Sequence, residues 1–302
     1  MQTLSVNELA ELMKREQEAL AVIVFQGLAG DAILISPPGR QDNTLLDSCF
    51  HKGDGIVDTI AAIPGKLSNY IISHPHLDHF ATGGKIIDRF EIQPESIFHS
   101  GLIPKPGFVP RGALTSCAEY AGLEVPLWHQ YIPLVCRSAE DRWRKIPLKL
   151  NTTETEICNL LPAPVSDDLL KGPYGRFNLA STPVGIWHEG KKIVIASDIA
   201  ADQFGGFESG EREFLSHVEL FIPASHGRPA QNPVTVLKSM APKFICISDS
   251  FPDSDFRGYY RDALQGSPDV RSVNIDGTQV YLFTQTSTSR YCITYEKDVT
   301  SC

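Results

Sequence analysis

Cysteine is sparse in this sequence and has no recognisable spacing. The seven cysteines stand at 49, 117, 136, 158, 246, 292 and 302, an odd number without a C-x-x-C pair. That pattern argues against a zinc knuckle and supplies no disulfide framework. Long apolar runs are missing as well: none approaches the roughly 18 residues that a membrane span needs. Basic charge is in deficit, with 27 Lys+Arg against 36 Asp+Glu and a net charge of −9. This argues against a broad basic surface for nonspecific nucleic-acid binding, but not against a local basic groove or a small anionic substrate. The opening MQTLSVNELAELMKREQEAL carries acidic residues and no apolar core, so no secretory leader is expected and a reduced, cytoplasmic setting is the default.

The remainder is ordinary for a folded protein, at 42% hydrophobic and 21% charged residues over 302 positions. A chain of this length buries roughly three quarters of its unfolded surface and needs no covalent staples. Ser5-x-x-Glu8 reads as a capping box that opens an amphipathic helix over 5–18, with Leu9, Leu12 and Met13 on one face. Strand-like runs follow at 20–27, 31–38 and 44–50, then a helix at 54–63 and a strand ending at Ser73. A helix over 81–90 and a strand over 96–101 come next. Five prolines between 104 and 133 break the periodicity, so 101–147 reads as an irregular insertion containing a helix near 112–122. Strands resume at 155–163, 177–190, 191–198, 219–225, 243–250, 270–275 and 278–284. HEGKK is expected to form a hairpin turn that leaves His188 on the surface, and Asp276-Gly277 is expected to form another. The whole chain, 1–302, reads as one α/β domain.

Histidine is scarce too, nine in all, yet three fall in HPHLDH directly after the apolar strand Tyr70-Ile71-Ile72. His74, His76, Asp78 and His79 occupy positions i, i+2, i+4 and i+5. At the end of a strand, His74 and His76 turn to one side while Asp78 and His79 reach an adjacent position. Imidazole nitrogen and carboxylate oxygen are zinc-type ligands, so this loop can serve two neighbouring ions.

HPHLDH matches the H-x-H-x-D-H motif of the metallo-β-lactamase fold superfamily, and the resemblance runs over roughly residues 25–285. It implies an α/β fold of the αββα sandwich type. GDAILISPPGRQDNTLLDSCF resembles the paired strands before the motif, which makes Asp47 the aspartate that holds a ligand histidine. KIVIASDIA resembles the segment carrying the carboxylate shared by both ions, giving Asp198. ELFIPASHG resembles the segment ending in the last metal histidine, giving His226. One position departs from the pattern: where most members have another metal histidine, about twenty residues before the shared aspartate, this chain has Asn178. FNLAS at that place, with the order of the other segments, resembles the branch that contains the hydrolase domain of bacterial DNA-uptake channel proteins.

The resemblance implies one or two divalent ions, zinc first and manganese or iron as alternatives, ligated by His74, His76, Asp78, His79, Asp198 and His226. It implies hydrolysis by a metal-bound hydroxide that Asp78 orients as the catalytic residue. The branch favours a phosphodiesterase or nuclease acting on a small anionic, nucleotide-like substrate or a short nucleic acid. Hydrolysis of an amide, lactone or thioester is the alternative, and a regulatory or interaction protein with weak catalysis is a third. Arg228, two residues past His226, can meet an anionic group or be a solvated loop residue. His99 can line the cleft, although a structural polar role suits it better; His129, in the irregular insertion, is a lesser candidate for a substrate role, and His51 and His217 read as surface residues.

Overall fold

The computed structural model describes residues 2–27, 30–49, 54–99, 147–149, 155–160, 178–206, 215–248, 254–266 and 268–293. Nearly all of the 101–147 insertion, the helix expected at 112–122, His51 and His129 lie outside the described residues.

Residues Leu20–Val24 (β2) show why the chain makes sheets that are covered on both faces. All five are buried, and they alternate between two different cores. Leu20, Val22 and Val24 join one apolar cluster, while Ala21 and Ile23 join another. Successive strand side chains point to opposite faces, so a fully apolar strand needs a layer on each side. Each buried aliphatic side chain of this kind is worth about 1.5–3 kcal/mol relative to exposure.

Around β2 an eight-stranded sheet is assembled from Gln2–Leu4 (β1), Ile33–Ser36 (β3), Asp42–Leu46 (β4), Lys66–Ile72 (β5), Ile97–His99 (β6), Thr278–Phe283 (β14) and Thr288–Ile293 (β15), in the order β1-β15-β14-β2-β3-β4-β5-β6. A seven-stranded sheet contains Pro147–Lys149 (β7), Thr155–Asn159 (β8), Val184–His188 (β9), Lys191–Ile195 (β10), Leu220–Ile222 (β11), Phe244–Ile247 (β12) and Asp269–Ser272 (β13), in the order β13-β12-β11-β10-β9-β8-β7. The two sheets share a core in which Val22, Ile35 and Ile71 of the first meet Ile186, Ile195 and Ile222 of the second.

The outer face of the first sheet is covered by Val6–Arg15 (α1), Gly55–Ala62 (α2) and Gly83–Phe90 (α4), through Leu9, Met13, Ile60 and Ile86. Between α2 and α4 lies the single turn Leu77–Phe80 (α3). The outer face of the second sheet is covered by Val234–Met240 (α5) and Arg257–Ala263 (α6), through Leu237, Met240 and Tyr260. Four layers result, helix, sheet, sheet and helix, which is the αββα sandwich expected from the sequence. Among the described residues no helix is long and apolar enough to cross a membrane.

The capping box is formed: the backbone N–H of Glu8 donates to Ser5 Oγ, and the N–H of Ser5 donates to the Glu8 carboxylate. The hairpin at 189–190 is also present, joining β9 to β10 antiparallel. His188 is not on the surface, however; it is buried with Nδ1 2.8 Å from Thr155 Oγ1 on β8, because its place in β9 turns it inward. Asp276-Gly277 does not make a hairpin. β13 pairs with β12 in one sheet and β14 pairs with β2 and β15 in the other, so the chain crosses between sheets at this point. A helical turn, Val273–Asp276 (α7), makes that crossing, and Gly277 at φ 79° ends it in the left-handed region that glycine tolerates.

Candidate metal centre

The topology gathers one end of both sheets. β4 and β5 run parallel, so Asp47 and the HPHLDH loop leave the first sheet side by side. β3 runs antiparallel to β4, which places its entry residue, Asp31, at the same end. In the second sheet β10 and β11 are parallel and bring Asp198 and His226 out together. β9, antiparallel to β10, brings the stretch 178–181 to the same edge.

Four residues at this end carry a strained backbone. Asp47, Ser197, Ser225 and His226 all have φ between 49° and 56°, a left-handed conformation costing about 1–3 kcal/mol for a residue with a side chain. Surrounding bonds hold them. Asn232 clamps the His226 loop by accepting from the Ala224 N–H at 2.9 Å and donating to the carbonyls of Ala224 and Arg228, both at 2.9 Å. The Tyr260 hydroxyl donates to the Gly227 carbonyl at 2.8 Å. The Ser48 N–H donates to the His79 carbonyl at 2.8 Å and so ties the end of β4 to the histidine loop. At Gly30, φ is 85° and a Cβ would lie 1.6 Å from the carbonyl oxygen of Asp78, so only glycine lets the two loops touch.

His79 and His226 are each backed by a buried carboxylate. Asp47 Oδ2 lies 2.7 Å from His79 Nδ1, and Asp47 also accepts from the N–H and the hydroxyl of Ser73, each at 2.7 Å. Asp31 Oδ1 lies 3.0 Å from His226 Nδ1. These bonds place the proton on Nδ1 in both rings and turn Nε2 toward the centre. There His79 Nε2 and His226 Nε2 stand 3.6 and 3.7 Å from Asp198 Oδ1, and Asp78 Oδ2 stands 3.3 Å from His226 Nε2 and 4.0 Å from His79 Nε2.

The other side is built differently. The Ser73 hydroxyl, not a carboxylate, sits 2.9 Å from His74 Nδ1. His74 Nε2 lies 2.8 Å from His76 Nδ1 and 3.8 Å from Asp198 Oδ2. Asn178 Nδ2 lies 3.4 Å from Asp198 Oδ2.

Burial opposes charge on every one of these rings, and the neighbours decide the outcome. For His79, Asp47, Asp198 and Asp78 outweigh burial and raise the imidazole to about 10. His226 is likewise driven well above its ordinary value by Asp198 and Asp31 against burial. For His74, burial and the neighbouring histidines act together and hold the ring neutral. Burial resists ionisation of Asp78, but His79 and His226 keep its carboxyl well below the usual range.

The donor set suits divalent cations. The ligand atoms of His74, His76 and Asp198 lie within 4.8 Å of one another, as do those of Asp31, His79, Asp198 and His226. Asp198 is common to both groups. Asp78 Oδ1, His79 Nε2, Asn178 Oδ1 and Asp198 Oδ1 are all buried without a hydrogen bond among the described residues. Buried polar atoms left in that state are costly, and a cation at the centre would supply what they lack. In the second group, Asp31 Oδ1 lies on the far nitrogen of His226, whereas Asp78 Oδ2 faces its Nε2 at 3.3 Å.

Every ligand candidate named from the sequence therefore converges on one place, with Asp47 and Asn178 beside it. Arg228 is exposed and contributes its backbone to the Asn232 clamp. His99 is buried beside the end of β5, where burial pulls its ring down to about 4. His217 is exposed, as expected. Asp31, Ser73, Asn232 and Tyr260 were not singled out by sequence reasoning. The one signal for Asp31 is its place after Gly30 at a strand entry.

Fold and site together define a mixed α/β sandwich with a histidine–aspartate cluster at the strand ends of both sheets. No family model and no curated protein matches the chain. Among solved structures, it is similar to a metallo hydrolase from the hyperthermophilic archaeon Ignicoccus hospitalis, with 15% identity, a TM-score of 0.49, and 88% of this chain and 100% of that one covered. It is also similar to the metallo-β-lactamase fold protein YhfI from Bacillus subtilis, with 13% identity, a TM-score of 0.48 and coverage of 87% and 100%. A HARLDQ-motif mutant of a metallo-β-lactamase from Cronobacter sakazakii matches at 14% identity and a TM-score of 0.37, over 66% of this chain and 75% of that one.

Proposed function

We propose that this chain is a metal-dependent hydrolase of the metallo-β-lactamase fold, and that it cleaves phosphodiester bonds in a nucleotide or a short nucleic acid. The observation that carries the reading is the pair of ligand groups that share Asp198. Divalent ions held by these residues would lower the pKa of a water toward about 7 and polarise the electrophile.

The protein's own residues supply position and charge. Asp78, 3.3 Å from His226 Nε2, faces the centre, where its carboxylate can orient a nucleophilic water. Asp47 and Asp31 fix the rings of His79 and His226. Asn178 turns its amide toward the centre from the edge of the second sheet and can donate to a non-bridging oxygen of the substrate. The acidic balance of the chain suits a small substrate better than long duplex, since few basic residues are available to neutralise many phosphates. The phosphodiester assignment is supported by FNLAS and the segment order around it, which resemble the DNA-uptake hydrolase branch.

The test is turnover of bis-p-nitrophenyl phosphate with added Zn²⁺ or Mn²⁺, alongside nitrocefin and a thioester. Hydrolysis of the phosphodiester alone is the expected result, and His79→Ala should abolish it. Turnover of nitrocefin or the thioester without the phosphodiester would move the assignment to acyl transfer. Full activity in His79→Ala would remove the site itself.

A further inference from the structure

The two halves of the centre are unlike, and we propose that they load unequally. The half made by Asp78, His79, His226 and Asp198 takes its divalent ion first and retains it, while the half made by His74, His76 and Asp198 fills second and exchanges. This deepens the reading of the cluster as a metal site and depends on it.

The first half is prepared for a cation. Both of its imidazoles have a carboxylate on the far nitrogen, Asp47 at 2.7 Å and Asp31 at 3.0 Å. A carboxylate behind an imidazole fixes the tautomer, orients the ring and makes the free nitrogen a better donor. Two further carboxylates, Asp78 and Asp198, face those nitrogens at 3.3 to 4.0 Å. The loop that carries His226 is locked by Asn232 and Tyr260, so little ordering remains to be done when the ion arrives.

The second half lacks these features. His74 is backed by the neutral hydroxyl of Ser73, and its Nε2 already shares a hydrogen bond with His76 Nδ1 at 2.8 Å. An ion taken up at His74 Nε2 must first break that bond. Beside Asp198 stands Asn178, its amide nitrogen 3.4 Å from Asp198 Oδ2, and a neutral amide is a weaker metal donor than an imidazole. Among the described residues this half's only carboxylate is Asp198, which the first half shares. Asp31 is thus a positioning residue for the tight ion, and Asn178 is the residue that keeps the other one exchangeable.

The full chain, stripped with a chelator, is titrated with Co²⁺ while its visible bands are followed, and with Zn²⁺ in competition with a chromophoric chelator. The first equivalent is expected to bind at least about tenfold more tightly than the second, in line with the roughly 10–100-fold reach of supporting residues on metal affinity. Asp31→Ala should loosen the tight class by about 10–100-fold and leave the weak class within about threefold. Asp31→Asn, which keeps an acceptor without the charge, should fall between. Asn178→His should tighten the weak class about tenfold or more without moving the tight one. Two equal classes in the unaltered protein would overturn the proposal, as would Asp31→Ala shifting both classes or neither. Absence of any binding at micromolar metal would instead remove the metal-site reading on which it rests.

Discussion

Replacing Asp47 by alanine tests how the histidine loop is held. Three donors converge on this carboxylate: His79 Nδ1–H, the Ser73 N–H and the Ser73 hydroxyl, each at 2.7 Å. Asp47 is only 1% exposed, so water cannot take its place without entering the core. Each buried donor left without an acceptor costs about 1–3 kcal/mol, and removing one partner of a buried ion pair costs about 3–5 kcal/mol. These overlap, because the same atoms are counted in both, so about 3–5 kcal/mol is expected for the metal-free protein. At roughly 2 °C per kcal/mol for a domain of this size, Tm should fall by about 6–10 °C in excess EDTA. A second effect appears only with metal, because His79 loses the group that orients it, and affinity should drop about 10–100-fold. Thermal unfolding in EDTA and in saturating Zn²⁺, with a competition titration, reads both quantities. A Tm within about 2 °C of the unaltered protein, together with unchanged zinc affinity, would show that Asp47 does not support His79.

Protonation of the same ring gives a pH dependence of defined sign. His79 is raised from 6.5 to about 10, so its charged form stabilises the metal-free fold fully below pH 6.5, and that stabilisation is lost as pH climbs toward about 10. Denaturant midpoints in EDTA should therefore fall across that window, while apparent zinc affinity rises because binding must displace the proton; a flat midpoint would contradict the Asp47 and Asp198 fields assigned to His79. Gly30→Ala drives a Cβ into the Asp78 carbonyl at a left-handed backbone position. It should cost about 2 kcal/mol or more and weaken metal retention, read by unfolding midpoint and by metal content after dialysis.

The apolar alternation of Leu20–Val24, the capping box at Ser5 and the compact HPHLDH cluster are local, so each is legible along the chain. Spacing alone puts His74 and His76 on one side of a loop and Asp78 and His79 on the other, because a strand end gives neighbouring residues fixed relative directions. Asp47, Asp198 and His226 are legible in order, each following its own apolar strand. Asp276-Gly277 shows where local chemistry misleads. The dipeptide supplies the positive φ that a hairpin needs, but that φ ends a helical turn just as well, and only the pairing of β13 and β14 in different sheets decides between the two. His188 misleads in the same way, since a polar residue next to a turn reads as exposed until β8 is laid against it.

Asp31 lies deeper still out of reach of the sequence. It stands 195 residues from His226, and nothing near either residue announces the bond between them. The chain by itself offered the candidate cation ligands and the strand ends that carry them. Tertiary structure decided which carboxylate stands behind which imidazole, and so which nitrogen faces inward. Such a hydrogen bond depends on ångström distances between separate strands of two packed sheets, and those distances exist only once the four layers have closed.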